Sequence, residues 1–471
     1  MAIARRIAYN VIFNVITKVI STALALVSIG FITRYLGKEG FGDYSTVLAF
    51  FSFFAAFADL GLYNITAREI SRANADEEKI LGNVFALRLI SSFLVFLITP
   101  LLVVFMPYSY EVKLGIIIAA ASFVFSSSYM VLNGVYQKNL AMDKVGLVEL
   151  LGKAIQVSVV VLAVRKNLGF SAIIFSMLAS MIFNFSLVLY WVRRYVKISL
   201  QFDFAYWKKF LKESLPMGIS AIIIFIYFKV DTILLSFLKT NADVGIYNAA
   251  YKVIENVTFF PSMIIGLVLP IFSRTIFTDR KEFEYTANET AKVFFVLIVP
   301  IVIGTLFLSN GIINLIGGSA FAQSANSLRI LIFALAFIFF GNFFNNILIA
   351  GSLQKKLMTT LSFCAVFNLI ANLIFIPFFS YTASAIISVF TEMIVVIFSS
   401  YLVRKHLGYT IKIKHFSRIM LSGAAMAVFL AVFGAMNFFA SALSAAFVYV
   451  LFLWITRTIT IKELLGIFNA K

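Results

Sequence analysis

The sequence is short of nearly everything that builds a soluble enzyme. It holds one cysteine, Cys364, so no disulfide can form within the chain. It holds two histidines, His406 and His415, and both fall in a basic stretch, which excludes a histidine proton relay in the apolar segments. Charged residues make up only 13% of the 471. No Gly-x-x-x-x-Gly-Lys-[Ser/Thr] loop occurs, and no Cys/His group has metal-ligand spacing. ATP hydrolysis, metal chemistry and a resident cofactor are therefore not expected. Proline is scarce at seven residues, so Pro216, Pro261 and Pro300, inside apolar runs, stand out as possible hinges.

What the chain has is apolar surface. Apolar residues are 62% of it, with 54 Phe. The formal charge of +18 invites a nucleic-acid reading. That reading fails, because Lys and Arg sit between apolar runs and form no basic domain. Arg5 and Arg6 before an apolar stretch, with Ala23-Leu24-Ala25 beyond, could mark a signal peptide. The run continues to Ile32 and is interrupted by Lys18, so a retained first membrane helix is the expectation.

A helix needs about 20 mostly apolar residues to cross a bilayer. That ruler predicts fourteen spans, near 7–33, 43–67, 82–106, 113–137, 144–164, 169–192, 212–238, 244–272, 287–309, 324–350, 357–377, 381–403, 418–437 and 439–457. With the N-terminus placed in the cytoplasm, cytoplasmic segments carry 27 of the 39 Lys and Arg, and outer loops carry 6. This bias follows the positive-inside rule and places both termini in the cytoplasm of a multi-pass plasma-membrane protein. The domains expected are a six-helix lobe over 1–195, a cytoplasmic interfacial linker over 196–211, a second six-helix lobe over 212–405, and two further helices with a tail over 406–471. The linker is basic and aromatic, and is read as a solvated loop held by anionic headgroups.

One short motif recurs. Gly42-Asp43-Tyr44-Ser45 aligns with Gly245-Ile246-Tyr247-Asn248, each between two apolar runs. Gly40, Gly42 and Gly245 are expected to permit a tight helix-to-helix turn. The stretch Arg34 to Ser45, followed by Ala58-Asp59-Leu60-Gly61-Leu62, resembles the polysaccharide flippase family of the multidrug, oligosaccharidyl-lipid and polysaccharide exporter superfamily. Val230-Asp231-Thr232-Ile233-Leu234-Leu235 and Gly245 to Tyr251 are similar to that family's second-half patterns. The resemblance implies two lobes around a central cavity that opens alternately to each side. It also implies a polyprenyl-diphosphate-linked saccharide as cargo, with membrane lipids around the protein and a polysaccharide polymerase and glycosyltransferases as partners.

Ionisable residues inside the spans are the candidate site. Each costs roughly 2.5–3.5 kcal/mol at mid-bilayer, so they should face the bundle interior or a wet cavity. Arg6, Asn10, Asn14 and Lys18 recur every fourth residue and share one face of the first helix. That stripe reads as a cavity wall, or else as interhelical bonding with Lys18 neutralised by Asp59. Glu149 and Lys153, and Lys252 and Glu255, have pairing spacing. Lys229 and Asp231 are two apart and point to different sides. Lys18, Arg88 and Lys229 are the foremost candidates to hold a diphosphate, with Asn10, Asn14, Lys153 and Lys252 beside them. Asp59, Asp231 and Glu392 are candidates for ion coupling. Three other readings compete with export of a lipid-linked saccharide: a lipid II flippase of peptidoglycan synthesis, a cation-coupled multidrug exporter, and a membrane scaffold without transport. Basic residues in the cavity argue against the exporter, and short outer loops argue against a polymerase-like role.

Overall fold

Backbone groups in a bilayer have no water to bond, so apolar runs of this length must close their hydrogen bonds internally. The computed structural model describes residues 2–59, 62, 66, 69–70, 76–433 and 437–458; the side chains of 2–12, 58, 59, 216, 217, 220 and 221 lie outside that description. Among the described residues the chain is all helix, with no strand. The helices are α1 (Ala2–Asp59), α2 (Glu77–Val103), α3 (Tyr110–Lys138), α4 (Met142–Arg165), α5 (Phe170–Val192), α6 (Phe204–Leu238), α7 (Asn241–Val257), α8 (Phe259–Thr275), α9 (Arg280–Gly317), α10 (Ser324–Ala350), α11 (Gln354–Leu407), α12 (Phe416–Phe433) and α13 (Phe438–Ile455).

Two of these are too long for one crossing. At a rise of about 1.5 Å per residue, α1 and α11 would each exceed about 80 Å against a hydrocarbon core of about 30 Å. Each is broken by one non-helical residue: Gly37 in α1 (φ 67°) and Ser380 in α11 (φ 50°), three residues after Pro377. Counting each of these twice and α7 with α8 once, the chain is an integral membrane protein of about fourteen helices, as its sequence predicts. Of the three prolines expected as hinges, only Pro261 stands at a break, in the first turn of α8. Pro216 and Pro300 lie inside the continuous α6 and α9.

The chain forms two compact units, Met1–Asn248 and Ala249–Lys471. In the first, α1 packs on α3, α4 and α6, and α3 packs on α2 and α5. One apolar cluster joins Phe85, Leu132, Tyr136, Val148 and Val188, and Tyr136 donates to the Val188 carbonyl at 2.8 Å. In the second, α10 lies along α11, and the hairpin of α12 and α13 packs on α9 through Met426, Leu430 and Tyr449. Tyr449 donates to the Val296 carbonyl at 3.0 Å.

The repeated glycines act differently from the expectation. The chain turns at Gly37, which has the left-handed φ, while Gly40 and Gly42 are already helical. A Cβ on Gly42 would fall inside the carbonyl of Asn241, and a Cβ on Gly245 inside the carbonyl of Lys38. Asn241 precedes Gly245 by four residues, as Lys38 precedes Gly42. The two motif copies therefore pack against each other reciprocally, backbone to backbone, and each needs glycine for that approach. In the second copy the turn is made by Thr240 and Asp243, which cap α7 mutually: Asp243 N–H donates to Thr240 Oγ1 (3.2 Å) and Thr240 N–H to Asp243 Oδ2 (3.3 Å).

The linker is also a correction. Residues 204–211 already belong to α6, and the irregular, still partly exposed 199–203 is fastened to the start of α2. Asn83, fully buried, donates to Gln201 Oε1 (3.2 Å) and accepts from the Asp203 N–H (2.9 Å). Gln201 N–H donates to the Gly82 carbonyl, and any side chain at Gly82 would strike the Ser199 carbonyl. Asp203 caps α6 and pairs with Lys79 at 3.7 Å. The Tyr206 N–H, and then the Lys79 ammonium, hold its carboxyl below the usual carboxylate range.

Candidate site of intramembrane charges

The first unit carries its polar groups on neighbouring helices. On α1, Asn10 has its side chain outside the described residues. Asn14 lies half-buried against α4, where a Cβ on Gly146 would meet Asn14 Oδ1 at 2.5 Å and Thr17 Oγ1 at 2.9 Å. This part of the stripe serves helix packing. One turn on, Lys18 is exposed and acts electrostatically on Glu149 of α4. Glu149 is itself exposed. Tyr129 of α3, buried, also feels Glu149. Lys153 Nζ donates to Gln156 Oε1 at 2.9 Å on the same helix. Asp59, the other candidate partner of Lys18, has its side chain outside the described residues.

Arg88 is 1% exposed, and its Nε donates to the Ser127 carbonyl of α3 at 3.4 Å. Buried in this way, it is closed to an anion in this conformation. Lys229 of α6 is half-buried and acts on Asp231. Asp231 is buried and accepts from the Tyr247 hydroxyl and, at 2.7 Å, from the Thr232 N–H. Thr232 in turn donates to Asn248 Oδ1 at 3.3 Å. The second copy of the repeated motif thus supplies one partner, Tyr247, to a buried carboxyl on the preceding helix, and a second, Asn248, to the neighbouring Thr232 hydroxyl. The motif signalled them; their role needed the pairing of α6 with α7.

In the second unit, Lys252 and Glu255 pair at 2.6 Å, as their spacing predicts. Glu392 of α11 is buried, near Cys364 and about 3.9 Å from where a Cβ on Gly341 would sit. Beside it runs a polar ladder that sequence reasoning missed: Asn368 donates to Thr391 Oγ1 (3.2 Å), Asn372 to Asn368 Oδ1 (3.1 Å), and Ser384 to Asn372 Oδ1 (3.0 Å). Asparagines at i, i+4 within an apolar run were the available signal. Among the described residues no group of three His, Cys, Asp or Glu could hold a metal ion.

Comparison with known proteins gives a consistent picture. A family described as "Polysaccharide biosynthesis protein" matches residues 7–276. A Shigella flexneri protein named "Putative O-antigen transporter" is 27% identical over 377 residues, covering 76% of this chain and 87% of its own length. "Capsular polysaccharide biosynthesis protein CapF" of Staphylococcus aureus is 23% identical over 272 residues, 56% of this chain and 68% of its own. Among solved structures, the lipid II flippase MurJ in an inward closed conformation superposes with a TM-score of 0.77 at 18% identity, over 94% of this chain and 98% of that one.

Proposed function

The chain belongs to the polysaccharide biosynthesis protein family, and from that premise we propose that it is a flippase for a polyprenyl-diphosphate-linked oligosaccharide. It carries the cargo from the cytoplasmic to the outer leaflet of the plasma membrane for cell-surface polysaccharide export. The observation that carries this reading is Lys18, an exposed ammonium within an apolar membrane helix, near Glu149 of α4. A cation held there costs insertion energy, which a diphosphate in transit would offset. The name of the Shigella flexneri relative supports export, and the MurJ-like fold supplies a precedent for a lipid-linked saccharide as cargo.

In this reading the chain works as two six-helix lobes, 1–195 and 212–405, that open alternately around a cavity, with both termini cytoplasmic. Lys18 and Lys229 receive the diphosphate and Arg88 joins when helices part. Asn10, Lys153 and Lys252 shape the polar path, and Asn14 seats α1 on α4 beside it. Asp59, Asp231 and Glu392 couple movement to an ion gradient. A polymerase and glycosyltransferases act before or after it on the same cargo. The test is binding: purified protein in nanodiscs is titrated with a fluorescent polyprenyl-diphosphate saccharide. Tight binding that Lys18→Gln weakens about tenfold or more supports the reading. Equal affinity for an uncharged polyprenol defeats it.

A further inference from the structure

A cavity of about 320 Å³ opens where the end of α11 meets the segment after it. Its lining is Phe344, Ser400, Tyr401, Arg404, Tyr409, Thr410 and Ile411, with no acidic residue among them. The back wall is held by hydrogen bonds and ring packing. Arg280 donates to the Leu407 carbonyl (2.6 Å), and Asn288 Oδ1 accepts from both the Tyr409 hydroxyl and the Lys412 N–H (2.9 Å each). Tyr409 is buried against Phe283, with ring centroids 5.3 Å apart. The mouth is polar and open: Tyr401, Arg404 and Thr410 are exposed, and Lys405 lies over the Tyr401 ring at 5.6 Å.

Two features specify an occupant. Residues 404–418 carry five Lys and Arg and no acid, so the mouth attracts anions. An exposed apolar strip, Phe390, Ile397 and Tyr401, runs down α11 at helical spacing and ends at Arg404. We propose that this cavity holds the phosphate of an anionic membrane lipid, with Arg404 and Thr410 on the phosphate and an acyl chain along Phe390 and Ile397. Guanidinium and hydroxyl donors suit phosphate oxygens, and basic pockets at helix ends select anionic headgroups. The proposal stands apart from the transport reading and needs no cargo.

The test uses the full chain in detergent, with native mass spectrometry of retained lipid. Phosphatidylglycerol and phosphatidylcholine of the same chains are titrated separately. The expected result is a preference of about tenfold for phosphatidylglycerol, largely lost in Arg404→Gln, partly kept in Arg404→Lys and weakened in Thr410→Val. Lys209→Gln, an exposed cation on α6, should leave it unchanged. Melting temperature and elution volume check that each variant is folded. A second arm adds inorganic pyrophosphate. Displacement of the lipid at matched concentration would assign the site to free phosphate and overturn the lipid. No headgroup preference, or one that Arg404→Gln leaves intact, would overturn the site.

Discussion

A methyl group added at Gly42 would fall inside the Asn241 carbonyl, and one at Gly245 inside that of Lys38. Gly42→Ala and Gly245→Ala should therefore each destabilise by about 1–3 kcal/mol through overpacking. Gly266→Ala, which meets nothing within 4 Å, should be neutral. Folded yield in detergent and melting temperature check this; equal behaviour of all three would mean that the seam is loosely packed. Charge gives the second residue-scale outcome. Lys18→Gln should insert normally, since removing an intramembrane charge lowers the insertion cost, yet lose most transport. If Lys18 serves only to neutralise Glu149, then Lys18→Gln combined with Glu149→Gln should restore activity. That Asn14 and Lys18 share a helix face was legible because i, i+4 spacing depends on one helix alone. The nearness of Glu149 to Lys18 was not, because it depends on α1 packing on α4, more than a hundred residues away.

Elements were legible wherever length and apolarity decide them. The spans, the break near Ser380 and the Lys252–Glu255 pair all follow from local pattern. The linker was misread because its composition is that of a lipid-facing loop, while its place is set by Asn83 and Gly82 on another helix. The turn at Gly37 was misplaced because glycines nearby serve packing instead. Asn83→Ala removes bonds to Gln201 and Asp203 and leaves those groups without a partner, at a cost of about 1–3 kcal/mol. Residues 199–203 should then loosen from α2. Limited trypsin digestion of the purified protein is expected to cut after Lys197 about tenfold faster in Asn83→Ala than in the parent. Equal rates would mean that the linker is held by other contacts.

At the scale of the whole molecule, two compact units divide within α7, so α6 and the start of α7 pack with the first half of the chain. The reciprocal contact of Gly42 and Gly245 gives physical form to the sequence repeat. Reporter fusions after Lys79, Lys209 and Arg404 should report cytoplasm, and those at Lys38, Lys113 and Lys239 the outside; one clear inversion would break the fourteen-helix order. The cargo is the part least visible in composition, since many solutes can cross a helical bundle. The activity proposed for this chain is the flipping of a diphosphate-linked saccharide. It is tested most directly in vesicles that hold the purified protein and a fluorescent polyprenyl-diphosphate oligosaccharide, with quencher added outside. The expected result is protein-dependent passage of label between leaflets, abolished or nearly so in Lys18→Gln at matched protein content. Label that crosses no faster than in protein-free vesicles, under an ion gradient of either direction, would contradict it.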